Sequence, residues 1–220
     1  MDDFAAKTEG AGALRGVRPA RQRRSRETQD KIVTAALAVF ADRGFEGAST
    51  HEIAEVAGIN QPLILYHFGS KERLWQAAAE RILDRFLDGW RQRVEWLEGL
   101  GSAARLKIML ADFVTFTTEH PELFQFLIEA NKRGDFQLSA LVESRLRPYF
   151  EFICGEIEEA QSAGAMPPGN PAVLHYAMIG AGAALSALGT EFKMLTGVAA
   201  DDPEVVEAQA DAITRLFFPD

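Results

Sequence analysis

Cysteine occurs once, at Cys154, in a chain of 220 residues. One thiol excludes an intrachain disulfide framework and a cysteine-built zinc site, and it fits a reducing compartment. Histidine is also sparse. His51, His67, His120 and His175 stand far apart, so no pair has the His-x-x-x-His spacing that holds zinc on one helix face. A Gly-rich phosphate loop and a nucleophile elbow are both missing. No catalytic residue, metal ligand or cofactor is therefore expected, and the chain does not read as an enzyme. The acids Glu143, Glu151, Glu156, Glu158 and Glu159 sit among other polar residues and read as a solvated helix face. Long hydrophobic runs are absent too. The longest mostly apolar stretch, 176–189, is short and rich in Ala and Gly for a spanning helix, so no membrane partner is expected. The first residues, MDDFAAKTEGAGALRG, place acids ahead of any apolar run, unlike a secretory signal, and the expected location is the cytoplasm. No segment alternates with period two for long, and no internal repeat is visible. The expected class is all-α.

Charge is unevenly spread. The net charge is −9, yet residues 15–26 hold six arginines, Arg23 and Arg24 among them, and no acid. Residues 15–80 sum to +2 and residues 81–220 to −9. A basic front on an acidic body suits a protein whose front meets phosphate. Residues 1–24, rich in Gly, Ala and Arg with little periodicity, read as a disordered arm that either tracks phosphates or only solubilises.

The stretch 49–71, STHEIAEVAGINQPLILYHFGSK, organises the rest. Ser49 three residues before Glu52 forms a capping box. Ile53, Ala54 and Ala57 give one apolar face. Gly58 stops the helix because glycine enters the left-handed region cheaply. Asn60 can cap the next helix, 60–68, and Pro62 is tolerated in its first turn. Two short helices joined by a Gly-containing turn are a DNA-reading unit. Before it, Ile32, Ala36, Val39 and Phe40 stripe a first helix that ends at Gly44. After it, Ser70 caps a fourth helix whose inner face is Trp75, Ala78, Ile82 and Phe86.

Together Phe40, Gly44, Phe45, Ser49, Thr50, Ile53, Ala54, Ala57, Gly58, Ile59, Tyr66, His67, Phe68, Ser70 and Lys71 resemble the TetR/AcrR family of transcriptional regulators. The resemblance covers about residues 25–80. It implies an N-terminal three-helix helix-turn-helix domain over 25–70, followed over 71–220 by a helical ligand-binding and dimerisation domain, about nine helices in all. It further implies a homodimer on a palindromic double-stranded DNA operator, acting as a repressor that a small apolar or aromatic effector releases. One position departs: the family often has tyrosine two residues before the histidine, where this chain has Leu65, with Tyr66 beside it.

In the DNA-reading stretch, Ser49 and Thr50 open a helix whose free N–H groups can hold a phosphate. Gln61 suits an adenine edge, and Asn60 either reads likewise or caps. Leu63 meets a thymine methyl or packs inward. Tyr66, His67 and Lys71 read as phosphate contacts, with His67 alternatively packed beneath its helix.

From residue 99 the chain stays helical. Segments 102–119, 121–132, 136–163 (kinked or split by Pro148), a helix opening at Asn170-Pro171 and one opening at Asp202-Pro203 are expected. Ligand walls are expected from Trp90, Phe113, Phe116, Phe124, Phe126, Phe150, Phe152, Tyr176 and Met178, with His120 and His175 as polar contacts; each ring can equally fill core, and His120 can cap a helix end. Small residues Gly180 and Ala184 with Leu188, and the stripe Val205, Ala212, Ile213 and Leu216, suit a four-helix dimer interface.

Overall fold

The computed structural model describes residues 14–133 and 136–219. Among these there is no strand. The helices are α1 (Leu14–Gly47), α2 (Thr50–Ala57), α3 (Pro62–Phe68), α4 (Lys71–Trp96), α5 (Ser102–Glu119), α6 (Pro121–Arg133), α7 (Phe136–Leu141), α8 (Arg147–Ser162), α9 (Pro171–Thr196) and α10 (Pro203–Phe217), with a π-helical segment Val142–Leu146 between α7 and α8. Taking α7, the π segment and α8 as one irregular rod leaves nine helical units among the described residues. The rod is the seventh helix of the sequence reading, and its irregularity falls just before Pro148. Pro148 occupies the first turn of α8, where its missing N–H costs nothing, and the π turn absorbs the break.

The expected arm ends earlier than residue 24. Backbone from Leu14 onward is already helical and runs into α1, so residues 14–24 extend a helix. The first part of the arm, and the turn expected at 133–135, lie outside the described residues. At its other end α1 breaks at Gly44, whose φ of 67° lies in the left-handed region. A side chain there would also place Cβ 2.9 Å from the Glu129 carboxylate on α6.

Two cores result. The first gathers the expected stripe Ile32, Ala36, Val39 and Phe40 with Ile53, Ala54 and Ile64, then Leu74, Trp75, Ala78, Ile82 and Leu83 of α4. It does not stop at residue 70: Leu123, Phe126 and Ala130 of α6 are in it, because α6 lies along α1. The second core is built around α5, which packs on α8, α9 and α10 through Leu106, Leu110 and Val114. α5 and α9 come close at Gly182 of α9, where a Cβ would stand 2.7 Å from the Phe113 ring. Thr117, fully buried, shares its hydroxyl proton between Val114 O (3.0 Å) and Gly182 O (3.3 Å), which ties α5 to α9.

Caps account for the helix starts. Ser49, Ser70, Asn170 and Asp202 each accept from first-turn N–H groups, and each such cap contributes about 1 kcal/mol. α9 is longer than the apolar run that announced it. It spans 26 residues with mean hydropathy 1.5 in its most apolar stretch, of which 22% is buried, so by length and composition it could cross a membrane. The helix runs past both ends of the 176–189 run, and Ala172, Val173 and Leu174 before it lengthen its apolar part.

Candidate functional site

The α2–α3 head is built as its sequence dictates. The Glu52 N–H donates to Ser49 Oγ (3.1 Å), and Gly58 closes α2 at φ 65°, its N–H donating to Glu55 O (3.1 Å). Ile64 is fully buried and fixes the depth of α3, which leaves Leu63, Leu65 and Tyr66 facing out. Tyr66 is 74% exposed and meets His67 edge to face. His67 and Lys71 are half-buried, and the Lys71 ammonium lies 4.5 Å from the Phe45 ring centroid. Arg23 and Arg24 are exposed on α1, and Arg23 pairs with Glu27 at 3.4 Å.

Asn60 does not cap α3. The Leu63 N–H donates to Asn60 O (2.9 Å) and the Ile64 N–H to Gln61 O (3.0 Å), while Pro62 has no N–H to satisfy, so a side-chain cap has nothing to do. Asn60 and Gln61 are both exposed. Gln61 Nε2 donates to Thr50 Oγ1 (2.9 Å), tying the front of α3 to the start of α2. Pattern alone could not find this bond across eleven residues. Leu65, exposed on the same front, was seen in the sequence only as a departure.

The second feature is a cavity of about 290 Å³ between α4, α5 and α8. Of the expected wall residues it brings together Trp90, Phe113 and Phe116, and adds Phe86, Trp96, Met109 and Tyr149. A void of about 30 Å³ adjoins it, lined by Phe113, Tyr149, His175 and Met178. Trp90 meets Tyr149 and Phe152 edge to face at 5.3 Å. Its indole N–H is buried without a partner, a cost of about 1–3 kcal/mol. Tyr149 has no hydrogen-bond partner among the described residues, and burial pushes its phenol up. At the mouth, Arg93 of α4 forms a bidentate pair with Asp112 of α5 (2.5 and 2.9 Å). Neither was expected, because residues 19 apart on two helices leave no periodic trace.

Other expected wall residues lie elsewhere. Phe126 stacks on Trp75 at 5.0 Å in the first core, and Phe124 lines neither space. Phe150 packs on His175 and Tyr176, and Tyr176 is exposed. His120 rests on Phe116 (4.7 Å) with Nδ1 3.4 Å from Glu122, at the end of α5, outside the cavity lining. His175 is 4% exposed among Tyr149, Phe150 and Tyr176, and burial lowers its pKa to about 4.

Of the expected interface residues, Gly180, Leu188, Ala212 and Leu216 are exposed, and Ala184 and Val205 are half-buried. Ile213 is buried in the second core, because it sits one position round α10 from the exposed Ala212. The bundle thus leaves an apolar strip along α9 and α10 uncovered.

Residues 32–78 match the family described as "Bacterial regulatory proteins, tetR family". The chain is 29% identical over 146 residues to the HTH-type transcriptional activator FasR of Mycolicibacterium smegmatis, covering 65% of this chain and 66% of that protein. It is 25% identical over 154 residues to the HTH-type transcriptional repressor KstR2 of the same organism, covering 69% and 73%. Its fold is similar to the crystal structure of AibR in complex with isovaleryl coenzyme A and operator DNA, with a TM-score of 0.67, 19% identity, and 87% and 98% of the two chains covered. These relatives are regulators, not enzymes. With a capped α2, a glycine turn and an outward α3 carrying the matching residues, residues 32–78 form a DNA-reading domain similar to that of the tetR family of bacterial regulatory proteins.

Proposed function

We propose that the protein is a ligand-responsive repressor: a homodimer holds a palindromic operator through one α3 per half-site, and a small apolar or aromatic ligand in the α4–α5–α8 cavity releases it. The observation that carries this reading is the span of α4. Leu74, Trp75, Ala78 and Ile82 belong to the core beneath the DNA-reading head, while Trp90, Arg93 and Trp96 form the cavity wall. A ligand that shifts α4 therefore acts on both. Coupling needs only that ligand and DNA favour different positions of that helix. FasR is an activator by name and KstR2 a repressor, so release on binding is a claim about this chain alone. AibR, of the same fold, was crystallised with a ligand and operator DNA together.

A twofold partner would cover the strip along α9 and α10 and place two α3 helices about 34–36 Å apart, one DNA turn. The apolar outer face of α9 is then an interface within the cytoplasm, with the hydrogen bonds of Thr117 and Gln209 to α9 holding its inner side in the bundle. Ser49, Thr50, Tyr66, His67 and Lys71 would hold phosphates, with Arg23 and Arg24 beside them. Gln61, Asn60 and Leu63 would face bases.

Selection of genomic fragments followed by footprinting is expected to return a protected palindrome. On that site Gln61→Ala should relax preference at one base position, while Lys71→Ala should weaken every sequence alike and lower the salt slope by about one. Equal losses on all sequences for Gln61→Ala would remove it from base reading, and absence of any protected palindrome would overturn the reading.

A further inference from the structure

Resting on α3 as the base-reading helix, we propose that Thr50 positions Gln61: the Thr50 hydroxyl donates to an operator phosphate, accepts from Gln61 Nε2, and so presents one donor and one acceptor of that amide to adenine. The two side chains stand on different parts of the head. Thr50 is the first residue of α2 and Gln61 immediately precedes α3, yet Nε2 lies 2.9 Å from Oγ1. The Gln61 backbone is held too, because its carbonyl accepts from the Ile64 N–H (3.0 Å) and Ile64 is fully buried. The residue is therefore fixed at both ends in the free protein, so less ordering is left for DNA to impose.

The proton count gives the bond its direction. A threonine hydroxyl carries one proton and two lone pairs. Gln61 occupies a lone pair, and no acceptor takes the Thr50 proton among the described residues. The Thr50 and His51 N–H groups beside it lack intrahelical partners, since Ser49 takes only that of Glu52. A phosphate oxygen at that end receives the hydroxyl proton along with them. A hydroxyl so committed can only accept, which excludes the flipped amide with Oε1 toward Thr50. One Nε2 hydrogen is used, and the other is left with Oε1 to meet a base. Adenine matches that pair through N7 and N6. Guanine presents two acceptors, which leaves Oε1 unmet, and thymine and cytosine each offer a single partner. Without the Thr50 hydroxyl the amide turns over freely, and discrimination between bases weakens.

Titrations of the operator and its variants, at one salt concentration, test this at the base pair where Gln61→Ala relaxes preference. Wild type should favour adenine there by about tenfold. Thr50→Val, close in shape but without the hydroxyl, should weaken every sequence and also bring the four bases within about threefold of one another. Thr50→Ser, which restores the hydroxyl, should keep the adenine preference. In a Gln61→Ala background, Thr50→Val should weaken all four sequences alike. With the wild-type protein, purine and 7-deazaadenine, each lacking one half of the adenine edge, should both bind more weakly than adenine at that position. An adenine preference that survives or sharpens in Thr50→Val, one that is lost in Thr50→Ser, or an analogue that binds like adenine overturns the positioning role and leaves α3 a base reader. Equal binding of all four bases by wild type overturns Gln61 as a reader as well, and absence of any protected operator overturns the proposed function with it. The analogues need no variant, so they decide even if Thr50→Val does not fold.

Discussion

At the scale of single residues, the chemistry depends on which polar groups the packing leaves unmet. Thr117 is buried and fully bonded, and so only joins helices. Trp90 is half-buried, its indole N–H is buried and unbonded, and its ring lines a space. His175 is a third case, a buried base among three rings with a pKa of about 4 against 6.5 in the unfolded chain. The folded pKa is depressed, so above pH 6.5 neither state binds this proton and its neutral form costs nothing. Below 6.5 the unfolded chain takes the proton first, and stability falls with pH until about 4. Chemical denaturation at pH 7 and pH 5 should show His175→Phe losing less stability than wild type between the two, by about 2 kcal/mol. Equal losses in the two proteins would show that His175 is not held neutral.

At the scale of elements, helix starts were legible and helix partners were not. Ser49, Ser70, Asn170 and Asp202 announce α2, α4, α9 and α10 because a cap acts within three residues of its own position. The ties between α5 and α8 have no such local cause. Arg105, near the start of α5, donates to both oxygens of Glu156 on α8 (2.7 Å each) and to Leu100 O (2.5 Å). Glu156 is buried, so a solvated-face reading of the acids of α8 holds for Glu158 and Glu159 and fails for it. Breaking this pair from one side leaves a buried carboxylate without a partner. Arg105→Ala should destabilise the fold by about 3 kcal/mol, read as a lower urea midpoint, and the joint change Arg105→Met with Glu156→Leu should recover much of it. If the double replacement costs as much as the single one, the penalty comes from lost packing and not from the stranded charge.

At the scale of the whole molecule, the uncovered strip on α9 and α10 bears on assembly. Leu188 is 56% exposed and Leu216 67%, with Gly180 and Ala212 beside them. A monomer that exposed such a strip would carry an association liability. Sedimentation equilibrium should therefore find a dimer, and the joint change Leu188→Glu and Leu216→Glu should shift it to monomer with helical content unchanged. A dimer that persists in that variant would place the interface elsewhere. The proposed dimer would account for the apolar length of α9 at the same scale, since a helix packed inside on one face and against a second copy on the other needs little polar surface.

The sequence by itself determined the helical class, the helix starts, the α2–α3 head and the family it resembles, because these rest on periodicity, caps and a glycine turn that act over a few residues. Gly58 and Ile64 shape the head whatever surrounds them. Tertiary structure alone decided the rest. Phe126 and Trp90 are alike as apolar ring residues at helical spacing, yet one stacks on Trp75 beneath the head and the other walls a cavity. Ile213 and Ala212 are neighbours in the chain, yet one is core and the other outer surface. The Arg93–Asp112 pair, the Gln61–Thr50 bond and the continuity of the first core into α6 arise from contacts between distant segments. Periodicity says which face of a helix is apolar, and only the crossing of helices says what that face meets.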